Sequence, residues 1–550
     1  MKVYYLIFIL LSQSVIVNCQ SVPNNNVFIR TNQVGFLPDD IKTAVILSNK
    51  DLSQNYFSLI DLVSNQVVYK NKINDSTYVY GNFDFCYEID FSTINQKGEY
   101  VIKVDDIESN SFKVDDSIYN SVRDSLSLFF KVQRCGPTNP FLHQPCHLSD
   151  AARVFGYKDS SGRDLTGGWH DAGDYVKFLK TTAYSTYVLM FSFEFDSKKF
   201  NYDLDKNNVP DILEEAKVGL DWLLRCNVDN QTFVSQVQNQ NDHNIGWRLP
   251  ENDSLQFNRP AFVSIGKNTI GIYAATLALA SKIWKEEFYE DNFAGECLSI
   301  AEKFYSIRNE VQDIDTTFSN HYPEKDFNGK LALAAIELFN STGKDFYLKD
   351  AIEYGHKAGS DFWWSVGDIN SFAHFRISKY NPEFSKYIYM NLEHSKNLYG
   401  KSVFREGLSY SWGSTNTFLG VSLQSILYKK LTNSIEFDSL ATFQRDFILG
   451  RNPWGISFIY NIGKTYVKNL HSQVGFFNNG YLPGALSAGP APLNILSEFN
   501  IKRINESLVK FNSDSVQYFD DRFDFITNEP TIVGNATALF VFGFYSAPDN

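Results

Sequence analysis

Near Asp116 the hydrophobic period of this chain changes from two to about 3.6, and that switch constrains the fold more than any other feature. Before it, from about Val27 to Val114, short alternating runs such as KTAVILS, DFCYEIDF and EYVIKV are separated by Asn, Asp and Gly turns. Such runs predict a small antiparallel β-sandwich of about 90 residues. After it, stretches such as PDILEEAKVGLDWLLRCN place Ile212, Leu213, Ala216, Leu220, Leu223 and Leu224 on one face, with Pro210 near the helix start. About 430 residues of such paired helices suit a closed helical barrel or a helical solenoid. The chain has 550 residues and 43% apolar content, enough for two packed units, and no Ser/Thr/Pro-rich linker divides them. The expected divisions are a leader over 1–19, a sandwich over 25–115 and a helical domain over 116–550.

The chemistry concentrates in a few stretches. Thr166-Gly-Gly-Trp-His-Asp-Ala-Gly-Asp-Tyr-Val-Lys-Phe178 sets Asp171 and Asp174 three residues apart, beside His170 and among glycines. A polar, glycine-rich turn of this kind predicts carboxylates that stay ionised. In YFDDRFDFITNEPTIVGNA (518–536) the acids Asp520, Asp521, Asp524 and Glu529 alternate with aromatics. A carboxyl group among aromatic rings keeps its proton to higher pH, because desolvation disfavours the charge. Two acids in opposite environments are the arrangement of a glycosidase, and a solvated acidic face is the plain alternative. Arg451, Asn452, Trp454 and His471, within 449–475, offer hydrogen-bonding groups and a ring face for a sugar-binding groove. Cys135, Cys146, His147 and His170 form a donor set for a tetrahedral structural zinc, against which stands a Cys135–Cys146 disulfide. NYDLDKNNVPD (201–211) offers Asp203, Asp205, Asn207 and Asp211 as oxygen ligands for calcium. Over that window neither the glycine nor the terminal glutamate of an EF-hand loop is present, and a polar loop before a helix is the equal alternative.

These stretches, with FIRTNQVGFLPDDIKTAVI (28–46), YSWGSTN (410–416) and GRNPWGISF (450–458), resemble in order the signatures of the inverting cellulases of glycoside hydrolase family 9. The likeness is to the subgroup with an immunoglobulin-like domain in front, and it spans nearly the whole mature chain. It implies an immunoglobulin-like sandwich followed by an (α/α)6 barrel, and an endo-acting β-1,4-glucanase. By position it implies Glu529 as general acid, Asp174 as general base and Asp171 as its assistant on the attacking water. Asp520, His471, Trp412 and Arg451 are implied as binding or support residues, and the zinc set is that of the subgroup. Calcium is common in the family. Where the family's third signature ends His-x-Arg, this chain reads His471-Ser472-Gln473, so Gln473 stands at an arginine position. That change leaves open an exo-acting cellobiohydrolase, an exo-glucosaminidase, or a sugar-binding wall protein without turnover.

The N-terminal MKVYYLIFILLSQSVIVNCQS reads as a secretory leader cleaved near Cys19, so the expected enzyme is extracellular and monomeric. Six N-x-S/T sequons, at Asn74, Asn230, Asn252, Asn340, Asn505 and Asn535, fit that route. A formal net charge of −13 argues against nucleic acid or an anionic membrane as partner.

Overall fold

The computed structural model describes residues 27–548 except 76–77, 160, 240, 256 and 316–321; the expected leader lies outside them. The first part is the immunoglobulin-like sandwich. One sheet orders β1 (Val27–Arg30), β3 (Thr43–Ser48), β7 (Phe83–Asp90) and β6 (Tyr78–Tyr80). The facing sheet orders β2 (Gly35–Phe36), β10 (Phe112–Val114), β8 (Gly98–Val104), β4 (Tyr56–Asp61) and β5 (Gln66–Lys72), with β9 (Ile107–Glu108) beside β8. Alternate residues such as Ala44 and Ile46, Phe57 and Leu59, and Ile102 and Val104 point into one core, as the period of two requires.

From Asn120 onward, twelve helices longer than eight residues follow among the described residues. They are α1 (Asn120–Gln133), α2 (Leu179–Phe195), α3 (Asp211–Arg225), α4 (Lys267–Glu287), α5 (Asp291–Ser306), α6 (Asn328–Thr342), α7 (Asp345–Ala358), α8 (Asn370–Ser378), α9 (Ser385–Tyr399), α10 (Ser414–Thr432), α11 (Asp438–Ile448) and α12 (Ile532–Tyr545). The even-numbered helices pack α2–α4–α6–α8–α10–α12 and back to α2, which closes an inner ring, and the odd-numbered ones lie outside it. This is the (α/α)6 barrel. Sequence chemistry sorts the rings. In α2 every residue from Thr181 to Phe193 is buried, and in α12 every residue from Ile532 to Gly543, so both are covered on all sides. The outer α3 instead buries the stripe Ile212, Leu213, Ala216, Leu220 and Leu223 and leaves its other face polar.

The sandwich docks against the barrel rather than hanging from it. Val45, Leu47, Phe83 and Cys86 share one continuous apolar core with the helices. Backbone and side-chain bonds cross the boundary: Gln33 N donates to Leu449 O at 3.0 Å, Arg30 Nε to Pro453 O at 3.0 Å, and Asn32 Nδ2 to Asp446 at 2.8 Å. Arg451 carries the strongest link. It is 0% exposed, donates to Thr43 Oγ1 at 2.8 Å and pairs with Glu88 on β7, which Arg405 also grips at 2.5 Å. Removing one partner of a buried ion pair leaves the other charge uncompensated, at a cost of about 3 kcal/mol. Glu88→Gln should therefore lower the thermal midpoint of the whole chain, measured by calorimetry, although Glu88 belongs to the sandwich.

Candidate active site

The turn from Thr166 to Phe178 runs across one end of the barrel, between α1 and α2. Its two faces do different work. Trp169 packs edge-on to Phe130 and donates its Nε1–H to Glu215 of α3 at 2.7 Å. His170 turns inward to the cysteines, while the carboxylates of Asp171 and Asp174 meet groups on other loops. Lys177 and Phe178 then pair with Val237 and Gln236, anchoring the turn's exit to a small sheet. Gly173 is the point of closest approach. A Cβ there would lie 2.1 Å from His471 O and 3.2 Å from Glu529 Oε1, so only glycine fits.

Three segments meet at that glycine. Gly173 N donates to Glu529 Oε1 at 3.2 Å, and Gly173 O accepts from Gln473 N at 3.4 Å. His471 N donates to Asn528 O at 3.0 Å, and Ile532 N to Asp171 O at 3.0 Å. Burial, and then the neighbouring charge of Asp174, pushes the Glu529 carboxyl up to about 8. Asp174 is held by the Val176 N–H at 3.2 Å and by His243 Nε2 at 3.0 Å. Chiefly through that bond, His243 is raised to about 9, so an imidazolium faces the carboxylate. The site thus holds an acid that keeps its proton near neutrality and, beyond Gly173, a carboxylate paired with a cation. Asp171 departs from the expectation of an ionised turn residue. It is 3% exposed, accepts from Tyr322 Oη at 2.5 Å, and burial raises it to about 7.

Several groups here escaped the sequence reading. His243 comes from NDHNIGWRLPEND, a run that also supplies Asp242, Trp247, Arg248 and Asp253. Asp242 accepts from Tyr175 N at 3.1 Å and pairs with Arg248 at 2.6 Å, which fastens this loop to the turn. An Asp-His pair followed by Trp and Arg was the available signal. Tyr322 had none, because only the fold brings its segment across to Asp171.

An arc of rings borders the carboxylates. Trp247 meets His471 at 5.2 Å and Phe476 at 5.1 Å, His471 meets Phe525 at 5.9 Å, and Trp412 lies 5.7 Å from Phe525 and 5.6 Å from Phe499. Trp412, Phe476 and Phe523 are 44%, 40% and 50% exposed, so ring faces remain open to a ligand. The Nδ1–H of His471 donates to Arg522 O at 2.7 Å, which orients the ring. Asp520 accepts from Lys468 N and Asn469 N at 3.1 and 2.8 Å and supports the loop that carries His471. Asp521 and Asp524 also take backbone and arginine donors, so the acidic run is no solvated face. Gln473 accepts from Arg248 N at 3.1 Å. Arg451, Asn452 and Trp454, expected in the groove, are fully or almost fully buried at the junction with the sandwich and do not line it. The motif is polar because it joins two domains.

Behind the turn, Cys135, Cys146, His147 and His170 are all buried, with one donor atom from each within 4.8 Å of the others. Both cysteines are free thiols. Cys135 Sγ lies 3.6 Å from His147 Nδ1, Cys146 Sγ 3.9 Å from His170 Nε2, and the two imidazole nitrogens 3.0 Å apart. A tetrahedral site built on Zn–N and Zn–S bonds has edges of about 3.3–3.8 Å, so the donors fit such an ion. His147 turns its other nitrogen to Asp253 at 3.1 Å, the carboxylate–histidine pairing common behind metal ligands. A second cluster, Asp203, Asp205 and Asp211, lies at the start of α3.

Comparison with known proteins gives a consistent picture. Residues 119–542 match the model of glycosyl hydrolase family 9, and residues 25–109 match that of the cellulase N-terminal ig-like domain. Endoglucanase D of Acetivibrio thermocellus is 24% identical over 526 residues, covering 88% of this chain and 81% of that protein. A cellodextrinase of Butyrivibrio fibrisolvens is 25% identical over 510 residues, covering 84% and 89%. The crystal structure of a metagenome-derived family 9 endoglucanase superposes with a TM-score of 0.81 at 23% identity, covering 94% of this chain and 99% of that one.

The junction at residue 173 leaves no room for a methyl group. Gly173→Ala must push apart the 471 carbonyl and the Glu529 carboxyl, an overpacking cost of about 1–3 kcal/mol. A lowered thermal midpoint is the expected result.

Proposed function

The chain belongs to glycosyl hydrolase family 9, and from that premise we propose a secreted endo-β-1,4-glucanase that cleaves internal glucosidic bonds with inversion. The observation that carries the reading is the meeting at Gly173 of Glu529, whose carboxyl is raised to about 8, with Asp174, which His243 holds. Glu529 gives its proton to the leaving glycosidic oxygen as the bond from the anomeric carbon breaks. A water attacks that carbon from the opposite face, and Asp174 takes the proton the water loses. Asp171 helps hold the same water, while Tyr322 fixes one of its oxygens. His243 is a positioning residue: it orients Asp174. The open rings of Trp412, Phe476 and Phe523 suit the apolar faces of glucose units. The leader motif supports secretion, and no described helix is long and apolar enough to cross a membrane.

Zinc is the ion we assign to Cys135, Cys146, His147 and His170. Four protein donors fill a tetrahedron, so the ion supplies cross-linking rather than a site for substrate. His170 is the residue before Asp171, so the clip holds the turn's backbone from behind while the carboxylates face the groove. Elemental analysis should find one zinc per chain. Cys146→Ser should lose it, with a lowered thermal midpoint and weaker hydrolysis; metal-free wild-type protein of equal stability would overturn the assignment.

The family's cellodextrinase relative supports a second reading, action on short oligosaccharides. Chain-length products from defined cello-oligosaccharides separate it from internal cleavage of a polymer. The central test is Glu529→Gln on soluble β-glucan. The expected loss is about 10²–10⁴-fold in kcat, with the fold retained. Because the rate requires the protonated acid, wild-type kcat/KM should fall as pH rises through about 8. Proton NMR should first detect the α-anomer of the product. Turnover by the variant at wild-type rates would overturn the acid assignment, and first release of the β-anomer would overturn inversion.

A further inference from the structure

The acidic run 518–528 does more than lead to Glu529: its carboxylates clasp a second segment, 491–505. Asp521 Oδ2 accepts from Ile504 N at 2.5 Å and from Asn505 N at 2.9 Å, and Asn505 Nδ2 donates to Asp520 O at 2.7 Å. Arg503 Nε donates to the buried Asp524 at 2.8 Å, and its guanidinium lies 4.6 Å from the Phe519 ring. Ala491, Leu496 and Ile526 close a small apolar core between the two segments. A segment tied down at so many points holds what it carries in one place, and it carries Phe499. That ring meets Trp412 edge-on at 5.6 Å and 83°, and Phe525 edge-on at 5.3 Å and 84°. Trp412 and Phe525 are themselves 5.7 Å apart, so the three rings close a triangle built on the edge-to-face contacts that aromatic pairs prefer. Among the described residues these are the ring contacts of Trp412, which is 44% exposed. Phe525 ties the triangle to the acid, because its carbonyl accepts from Glu529 N at 3.3 Å.

We propose that Phe499 is a specificity-determining positioning residue: it fixes the tilt of Trp412 and its spacing from Glu529, so that one glucose unit of a longer chain stacks on the indole while the scissile bond lies at the acid. The inference rests on the glucanase reading and narrows it to chains that reach from Glu529 to Trp412. Stacking needs the indole face parallel to the sugar ring. An exposed tryptophan that turns freely must be ordered each time a chain binds, whereas one propped by two ring edges is ordered beforehand. Phe499 acts through Trp412 rather than through the fold. It is 37% exposed, so truncating it spares the core.

The test compares the full chain with Phe499→Ala, Phe499→Tyr and Trp412→Ala. On soluble β-glucan and on cellohexaose, Phe499→Ala should raise KM about three- to tenfold, the worth of a pair of ring contacts, with kcat within about twofold of wild type. Phe499→Tyr keeps the ring and should restore the wild-type KM. In a Trp412→Ala background, Phe499→Ala should add nothing, because its effect passes through the indole. Fluorine NMR of the chain labelled with fluorotryptophan reads the same contact without turnover. The Trp412 signal, identified by its loss in Trp412→Ala, should shift and narrow in Phe499→Ala while the other signals stay in place. An unchanged KM or an unmoved Trp412 signal would overturn the proposal, as would additive losses in the double variant or a loss that tyrosine does not repair. A wild-type chain that cleaves no β-glucan would overturn the glucanase reading instead, and the fluorine signal would still decide whether Phe499 holds Trp412.

Discussion

The missing side chain at Gly173 is the constraint on which the site depends. Through that one residue the turn after α1 donates to Glu529, accepts from Gln473 and lies against the carbonyl of His471. These groups sit hundreds of residues apart in the chain, on loops that α2 and α12 deliver to the same end of the barrel. A Cβ would hold them apart by more than an ångström. The approach also creates the electrostatics. Glu529 is pressed into a place where its charge is poorly solvated and faces Asp174, and both effects keep the proton on.

Such closeness needs a rigid backing, and the structure supplies charges rather than bulk. Asp150, Asp242 and Asp253 lie buried with Lys177, Arg248 and Arg259 between the turn and the loop 239–253. Three acids and three bases cancel. A network of this kind is a weak source of net stability, but it is intolerant of misplacement, because any displaced member leaves a partner buried and unpaired. Asp253 also holds His147, so the same network orients a member of the Cys/His cluster and, through Asp242, the backbone of Tyr175 next to Asp174. The Cys/His cluster and the carboxylates are two faces of one braced turn.

Much of this was legible in the sequence, and what was not follows a pattern. The change of period near Asp116 separates sandwich from barrel, and the glycine-rich turn foretells a histidine facing one way and acids the other. Residue type was misleading where burial decides. Arg451 and Trp454 look like sugar-binding groups, yet both are buried, Arg451 against Glu88 of the sandwich and Trp454 against Phe458 and Tyr518, because a buried side chain and an exposed one have the same letter. Asp171 looked solvated because its neighbours are glycines, but helices and Tyr322 cover it. His243 and Tyr322 come from segments without a distinctive run, and only closure of the helical ring sets them against Asp174 and Asp171.

Two aspartates compete for the role of base, and their environments separate them. Asp171 is almost wholly enclosed, takes a hydrogen bond from Tyr322, and is raised to about 7, so near neutrality it is part protonated and a weaker claim on the water's proton. Asp174 is less buried and faces the imidazolium of His243, which holds the side chain in place. In the proposed mechanism the charge of the base, Asp174, adds to burial in raising Glu529, the acid, so the two roles are linked rather than tuned separately. Replacing Asp174 by a neutral residue would therefore remove the base and, at the same time, lower the affinity of Glu529 for its proton.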